Sequence, residues 1–236
     1  MFFDDHPEFL QTSHTAATKG RLNLRHLGII KENEDILRGR SVVDIASHDG
    51  RWSYAALEAG ATQVIGIEGR SRLVENAKRT LAAKGVPESR YRMITGDVHS
   101  RILEPDIVGD VVMCLGFLYH TARYVELMAG IHSTGAEYVI IDTRVLPNEE
   151  RPIVELRTER TAGQALAIRD RFALDNRVIS AVPSEAALVL MLEAAGYDVD
   201  HRTDWTGLLA QHPRAKAVRQ YANGRRVTFR AKRSTR

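Results

Sequence analysis

The sequence of 236 residues has little of several features that would define a special class of protein. Its single cysteine, Cys114, cannot form a disulfide within the chain, so we expect a reducing, cytoplasmic location. No apolar run has the length that a membrane span requires. Residues 1–3 are followed at once by two aspartates, not by the basic and apolar segments of a secretory signal. These absences predict a soluble globular protein.

Acidic residues are missing from the C-terminal end of the chain. Residues 205–236 contain nine Lys and Arg residues and no Asp or Glu, although the whole chain has a net charge of only +3. A basic end can attract phosphate groups, so it supports a nucleic-acid partner. Only Tyr221 and Phe229 interleave with these charges, which favours the alternative of a solvated terminal strand.

The pattern that is present is an alternation of short β-branched runs with amphipathic segments. It predicts strands over residues 41–46, 63–68, 91–95, 110–115 and 138–142, with a final strand pair over 198–203 and 225–232. Helices are predicted over 52–59, from 71 onward, over 119–132 and over 185–195. Such an alternation indicates an α/β fold with a doubly wound, mostly parallel sheet.

Two segments depart from this alternation. Residues 1–40 carry apolar positions at helical spacing and predict an N-terminal helical cap on a domain that covers 41–236. Residues 144–182 hold seven Arg and six Asp or Glu residues among short apolar runs. We expect this insertion after the fifth strand to cover the carboxyl edge of the sheet and to contact a substrate.

Four features follow the predicted strands at their carboxyl ends, where open α/β sheets bind ligands. They are the loop 44–50, Glu68, Asp97 and the segment 115–120. Glu68 is placed to accept both hydroxyls of a ribose. Asp97 can accept a hydrogen bond from an exocyclic amine, and the backbone N–H of Val98 can meet a ring nitrogen.

This order of features resembles the class I S-adenosylmethionine-dependent methyltransferases over roughly residues 40–200. Their first motif, an acid followed by small and glycine positions, is matched by Asp44-Ile45-Ala46-Ser47-His48-Asp49-Gly50. The resemblance implies a Rossmann-like sheet of seven strands and S-adenosylmethionine as cofactor. It implies that this loop holds the methionine part, Glu68 the ribose, and Asp97 with Val98 the adenine. The implied cofactor-binding residues are Asp44, Ala46, His48, Gly50, Glu68, Gly69, Asp97, Val98 and Leu115.

The first loop departs from the family pattern. Glycine is usual where this chain has Ala46 and His48, so the loop is expected to approach its ligand less closely at His48. The missing glycines also weaken a dehydrogenase interpretation, which needs a full dinucleotide fingerprint. From the N-terminal segment, His14, Lys19 and Arg21 are candidates to close over the cofactor, where a cation would pair with its carboxylate.

Catalysis of methyl transfer to a hydroxyl needs positioning and a base, and an imidazole suits that task. His120 is the candidate base, because it ends the segment directly after the fourth strand, with Tyr119 beside it. The alternative is that His120 caps a helix or orients the cofactor. Asp142, at the end of the fifth strand, is expected to face the same site as a substrate ligand, an alternative base or a metal ligand.

Metal binding has weak support in the sequence. Asp142, Glu149 and Glu150 offer the hard oxygen atoms that magnesium prefers, but their spacing matches no closed metal motif. No metal site is therefore predicted, and magnesium is left as an option. Polar residues of the insertion would bind a polyhydroxylated substrate or form a salt-bridged surface: Glu155, Arg157, Glu159 and Arg160.

The sequence as a whole favours an O-methyltransferase acting on a small hydroxylated molecule, with a sugar as the preferred acceptor. Its layout and the His48-Asp49-Gly50 loop are similar to sugar O-methyltransferases of methylmannose polysaccharide biosynthesis. The alternatives are a tRNA- or RNA-modifying enzyme and a cofactor-binding protein without catalysis. Homo-oligomer formation is left open.

Overall fold

The computed structural model describes residues 1–11, 19–161, 170–212 and 218–235. The strands are β1 Ser41–Ile45, β2 Gln63–Glu68, β3 Tyr91–Thr95, β4 Val111–Leu115, β5 Tyr138–Arg144, β6 Val154–Arg160, β7 Arg177–Pro183, β8 Tyr197–Arg202 and β9 Arg226–Arg233. The α-helices are α1 Lys19–Arg25, α2 Glu34–Leu37, α3 Arg51–Glu58, α4 Ser71–Ala83, α5 Val98–Arg101, α6 Tyr124–Ser133, α7 Glu185–Ala194, α8 Trp205–Ala210 and α9 Arg219–Ala222. Within these described residues, no helix is both long enough and apolar enough to cross a membrane.

Seven of the strands form one sheet in the order β3-β2-β1-β4-β5-β9-β8. The strands β1 to β5 are parallel to one another, and β9 pairs antiparallel with both β5 and β8. The predicted doubly wound, mostly parallel sheet is therefore confirmed. The chain runs outward from β1 to β3 and then returns to place β4 on the other side of β1. This reversal opens a crevice beyond the carboxyl ends of β1 and β4.

Helices cover both faces of the sheet, and side chains alternate between two apolar cores. On β1, Val42 packs in one core with the N-terminal segment, whereas Val43 packs in the other with α6 and α7. Phe3 and Phe9 are almost completely buried in the first core. Since burying one large apolar side chain contributes about 1.5–3 kcal/mol, these two side chains hold the N-terminal segment against the sheet.

The helix after β4 begins later than the sequence predicts. The expected helix over 119–132 starts only at Tyr124, and Leu118–His120 instead form a short 3-10 turn. Thr121 has an extended backbone with φ −131° and ψ 156°, which separates the turn from the helix. His120 consequently lies in an irregular segment between β4 and α6, next to the carboxyl edge of the sheet.

The insertion after β5 contains an antiparallel hairpin made of β6 and β7, paired from Val154–Pro183 to Arg160–Arg177. Its β7 strand packs against the turn Leu118–His120. The hairpin therefore lies beside the carboxyl edge, where the sequence places a substrate-side insertion. Residues 162–169 of the insertion lie outside the described part of the chain.

A buried carboxylate joins the two ends of the chain to the sheet. Asp142 on β5 has no exposed surface, and its Oδ1 accepts hydrogen bonds from Arg25 Nη2 at 2.7 Å and Arg226 Nε at 2.8 Å. Its Oδ2 accepts from the hydroxyls of Tyr221 at 2.6 Å and Thr228 at 2.9 Å. Burial alone would raise the pKa of Asp142, but the two guanidinium groups outweigh it and hold the pKa well below its usual range.

The basic C-terminal strand uses its charge within the fold. Residues that the sequence leaves as an exposed basic stretch are bonded to carboxylates from earlier parts of the chain. These ion pairs are Arg226–Asp142, Arg230–Asp35, Arg230–Asp200 and Lys232–Glu137. The described part of β9 is therefore largely neutralised by its neighbours.

Replacing Asp142 with Asn should lower the free energy of unfolding by about 3–5 kcal/mol, because two buried guanidinium groups lose their opposing charge. Urea unfolding at neutral pH measures this change. Asp35→Asn is the matched control: its pair with Arg230 spans 3.3 Å, but the Asp35 side chain is 67% exposed. The control should change stability by less than about 1 kcal/mol. Equal effects of the two substitutions would contradict the structural role of Asp142.

Candidate functional site

A cleft with an empty volume of about 890 Å³ lies at the crevice between β1 and β4. The loops after β1, β2 and β4 form its floor, while α1 and the start of β9 form its walls. Predicted site residues that line the cleft are Arg21, Ala46, His48, Glu68, Gly69, Leu115, Tyr119 and His120.

The loop after β1 has an unusual backbone conformation. Ala46, His48 and Gly50 all have positive φ, at 53°, 56° and 78°. A left-handed conformation suits glycine, whereas in other residues the Cβ crowds the following carbonyl at a cost of about 1–2 kcal/mol. The loop thus keeps the geometry that glycines usually provide, although two of the three positions are not glycine. Gly50 itself does not line the cleft.

Glu68, at the end of β2, holds this loop in place. Its Oε2 accepts a hydrogen bond from the backbone N–H of His48 at 3.0 Å, and its Oε1 accepts from the Arg70 backbone N–H at 3.0 Å and from Arg70 Nε at 2.7 Å. The carboxylate is 2% exposed at the cleft wall. The Arg70 side chain is 38% exposed, so it can withdraw to admit a ligand hydroxyl to Glu68.

Asp44 is buried within β1 and does not line the cleft. Its Oδ2 accepts a hydrogen bond from Ser53 Oγ at 2.6 Å, which ties the strand to α3. Burial raises the pKa of Asp44 to about 7. The structure therefore gives Asp44 a role in ordering the first loop, and its predicted ligand contact is not formed by the cleft as it stands.

Asp97 and Val98, which the resemblance assigns to adenine, lie beyond the residues that line the cleft. Asp97 caps α5 by accepting from the backbone N–H of His99 at 3.2 Å, and it also accepts from Arg123 Nη1 at 3.0 Å. Burial opposes the effect of these partners, but their hydrogen bonds lower the pKa of Asp97. Its adenine contact stays a prediction.

The expected placement of Asp142 is wrong. The side chain points into the protein, where Arg25, Arg226, Tyr221 and Thr228 occupy both of its oxygens. A carboxylate held ionised by two guanidinium groups is a poor proton acceptor, so Asp142 does not suit the role of a base.

A second suggested magnesium ligand, Glu149, also binds a side chain of the protein. Glu149 binds Arg151 through both of its oxygens, at 2.9 Å each. In the ranges that the structure describes, no three His, Cys, Asp or Glu side chains are arranged to hold a metal ion.

His120 lines the cleft and is joined to the hairpin. Its Nδ1 lies 2.7 Å from Glu159 Oε2 on β6. Since a carboxylate only accepts hydrogen bonds, the Nδ1 of His120 carries the proton and donates it to Glu159. Burial raises the pKa of Glu159, but the hydrogen bond from His120 outweighs this effect and lowers it. The sequence leaves Glu159 as either a substrate ligand or part of a salt-bridged surface, and the structure places it against the imidazole.

Tyr119 lies against two guanidinium groups at the cleft wall. Its ring centroid is 4.6 Å from the guanidinium carbon of Arg144 and 5.4 Å from that of Arg226. Burial raises the pKa of the phenol, but these positive charges, with Arg25, lower it overall. Tyr119 is therefore a hydrogen-bond donor of increased acidity that faces the cleft.

The cleft also contains residues, most of them basic, that the sequence does not predict there. Arg25 and Arg226 enter from opposite ends of the chain, and Arg51 and Trp52 begin α3 directly after the first loop. The guanidinium carbon of Arg25 lies 5.0 Å from the Trp52 ring centroid, which is a cation–π contact. Arg51 and Trp52 directly follow Gly50, so their positions beside the first loop could have been predicted from the sequence. Nothing in the local sequence around Arg25 or Arg226 indicates that they line the cleft.

Of the cations proposed to close over a cofactor, Arg21 lines the cleft. Lys19 instead pairs with Asp4 at 3.1 Å and is half exposed. His14 lies outside the described residues.

No protein-family model and no curated protein matches the sequence. An S-adenosylmethionine-dependent methyltransferase from Mesorhizobium loti superposes with TM-score 0.57 at 13% identity, covering 84% of this chain and 93% of that one. The N-terminal domain of EvdMO1, solved with S-adenosylhomocysteine (SAH) and D-fucose, gives 0.60 at 16%, covering 92% and 83%. The mitomycin 7-O-methyltransferase MmcR gives 0.57 at 17%, covering 90% and 54%. Identities this low establish the fold alone, which is that of the class I methyltransferases.

Ala46→Gly should raise the free energy of unfolding by about 1 kcal/mol, because glycine removes the Cβ crowding at φ 53°. The reverse change in the same loop, Gly50→Ala, should lower the free energy of unfolding. An alanine there would have to adopt φ 78°, and its Cβ would lie 3.0 Å from the Ala77 Cβ. Urea unfolding of both variants measures the pair. A less stable Ala46→Gly protein would contradict the strain assigned to this loop.

Proposed function

We propose that this protein is an S-adenosylmethionine-dependent O-methyltransferase that methylates a hydroxyl of a small polar molecule. The observation that carries the proposal is the His120–Glu159 pair at 2.7 Å, on the wall of a cleft beyond β1 and β4. An imidazole held by a carboxylate is suited to remove a hydroxyl proton. The fold of the class I methyltransferases supports the same reaction at the same edge of the sheet.

The chemistry of the cleft walls fits the cofactor. Glu68 offers carboxylate oxygens to the ribose hydroxyls, and the loop at Ala46 and His48 exposes backbone to the methionine part. Arg21 offers a cation to the cofactor carboxylate. When bound, S-adenosylmethionine supplies an electrophilic methyl group on its sulfonium. The chain's own residues then have to position the acceptor and receive its proton.

His120 receives that proton at Nε2 in this proposal. Because Nδ1 donates to Glu159, the neutral imidazole has its lone pair on Nε2, available to an acceptor hydroxyl. The carboxylate fixes the ring orientation and stabilises the imidazolium that forms, as an acid does behind the histidine of a catalytic triad. Glu159 therefore acts as a positioning residue, and Tyr119 is placed to donate a hydrogen bond to the acceptor.

A sugar is the acceptor that the surroundings support best. The hairpin presents both signs of charge, with Glu155 and Arg157 paired at 2.7 Å on β6 beside Glu159. Alternating donors and acceptors suit a molecule with many hydroxyls. The EvdMO1 domain was solved with D-fucose, and MmcR is described as a 7-O-methyltransferase. The narrower assignment to methylmannose polysaccharide biosynthesis rests on the sequence resemblance alone.

The RNA-modifying alternative has less support in this fold. It depends on the acid-free end of the chain, yet Arg226, Arg230 and Lys232 form ion pairs within the protein. Phosphate binding by such a surface requires cations that are not already neutralised.

Glu68→Ala should weaken SAH binding by about 10-fold or more, because the ribose hydroxyls lose a charged acceptor. Isothermal titration calorimetry measures the affinity, and circular dichroism checks that the variant is folded. Glu75→Ala is the control, since Glu75 is 63% exposed on α4 and pairs with Lys78 away from the cleft. Unchanged SAH affinity in a folded Glu68→Ala protein would remove Glu68 from the cofactor site.

His120→Ala should reduce kcat by about 100-fold or more while SAH affinity is retained, as expected for the loss of a general base. Glu159→Gln should also reduce kcat, by about 10-fold or more, with KM little changed, because Gln holds the ring without the negative charge. Labelled S-adenosylmethionine with a panel of mono- and disaccharides provides the assay. His201→Ala is the control, because His201 is 38% exposed and pairs with Glu32 away from the cleft. Full turnover in His120→Ala would exclude His120 as the base.

A further inference from the structure

A second cavity, with an empty volume of about 700 Å³, lies between the loop after β5, the hairpin and the start of β9. Its walls are distinct from those of the cleft and are rich in guanidinium groups. The residues that give it chemical character are Arg144, Arg157, Arg225, Glu155 and Gln220.

Positive charge exceeds negative charge in this second cavity. Glu155 is its only lining carboxylate among the described residues, and it pairs with Arg157 at 2.7 Å. In the same described ranges, no carboxylate forms an ion pair with Arg144 or Arg225. The cavity therefore offers two guanidinium groups to a ligand, and the planar fork of donors on arginine matches carboxylate and phosphate oxygens.

Two buried polar atoms of residues that line this cavity have no hydrogen-bond partner among the described residues. They are Nε of Arg144, a donor, and Oε1 of Gln220, an acceptor. Leaving such atoms buried and unsatisfied is unfavourable. A ligand that carries an anionic oxygen and a hydroxyl would satisfy both, because the anion accepts from Arg144 and the hydroxyl donates to Gln220.

The second cavity adjoins the cleft through two contacts. The Arg144 guanidinium, which lines the cavity, lies over the ring of Tyr119, which lines the cleft. Side chains at alternate positions of a strand share a face, so Arg157 and Glu159 point to the same side of β6 about 7 Å apart. Glu159 binds His120 and Arg157 lines the cavity. One face of β6 thus connects the base to the anion-binding residues.

We propose that the second cavity binds an anionic group of the acceptor, a phosphate or a carboxylate, while the acceptor hydroxyl lies at His120. This assignment rests on the proposed methyl transfer and narrows its substrate class to acidic or phosphorylated polyhydroxylated molecules. The spacing along β6 fits a molecule of monosaccharide size that spans both sites.

The first test uses inorganic phosphate as the probe on protein saturated with SAH. Calorimetric titration should show saturable phosphate binding, weakened by about 10-fold in the double variant Arg144→Gln/Arg225→Gln. Arg177→Gln is the control, because it removes one positive charge from the hairpin outside the cavity, and it should bind phosphate like the parent protein. Equal phosphate affinity in the double variant, or no saturable binding by the parent protein, would overturn the proposal.

The second test compares a hexose, its 6-phosphate and the corresponding uronate as methyl acceptors. The proposal predicts at least about a 10-fold higher kcat/KM for one anionic sugar, and the two anionic arms distinguish phosphate from carboxylate. That preference should disappear in the double variant. Equal or better methylation of the neutral hexose would overturn the anion site and leave the methyltransferase function standing. Failure to bind SAH would overturn the methyltransferase function, while phosphate binding without SAH would still report on the cavity.

Discussion

One ionised carboxylate in the core, Asp142, determines how the ends of this chain meet. Two guanidinium groups, from α1 and from β9, converge on it at the carboxyl end of β5. Transferring these charges from water is costly, so the arrangement is stable only when all partners are present together. Because Arg25 and Arg226 are fixed there, they also form part of the cleft wall and support Tyr119. The shape of the candidate active site therefore depends on a contact that does not itself take part in chemistry.

The parts of the structure that the sequence predicts well are those that local patterns encode. β-Branched runs placed β1 to β5 correctly, and the acid after β2 and the histidine after β4 both reach the cleft. The sequence predicts the wrong environment for Asp142, because its partners Arg25 and Arg226 are 117 and 84 residues away in the chain. No periodicity or spacing rule reports such a meeting, since it depends on the tertiary fold.

The difference between locally encoded features and tertiary contacts also applies to the candidate base, His120, and to the loop after β1. His120 was identified from its position after β4, but Glu159 behind it comes from a hairpin 39 residues later. In the loop after β1, the missing glycines were visible in the sequence, whereas their consequence was not. Ala46 and His48 adopt the left-handed conformation anyway, with the His48 N–H held by Glu68. The missing glycines predict a changed loop. The hydrogen bond from the His48 N–H to Glu68 helps to explain why the loop conformation is retained.

The position of the β6–β7 hairpin has a consequence for how the proposed activity could evolve. It lies outside the seven-stranded sheet, so its sequence can vary without disturbing the strands that carry the cofactor loops. Yet a single strand of it supplies both the partner of His120 and residues of the second cavity. Under the proposed function, exchanging this module for another would alter acceptor choice and proton transfer in one event. Selection for a new acceptor would then have to preserve position 159 while it changes positions 155 and 157.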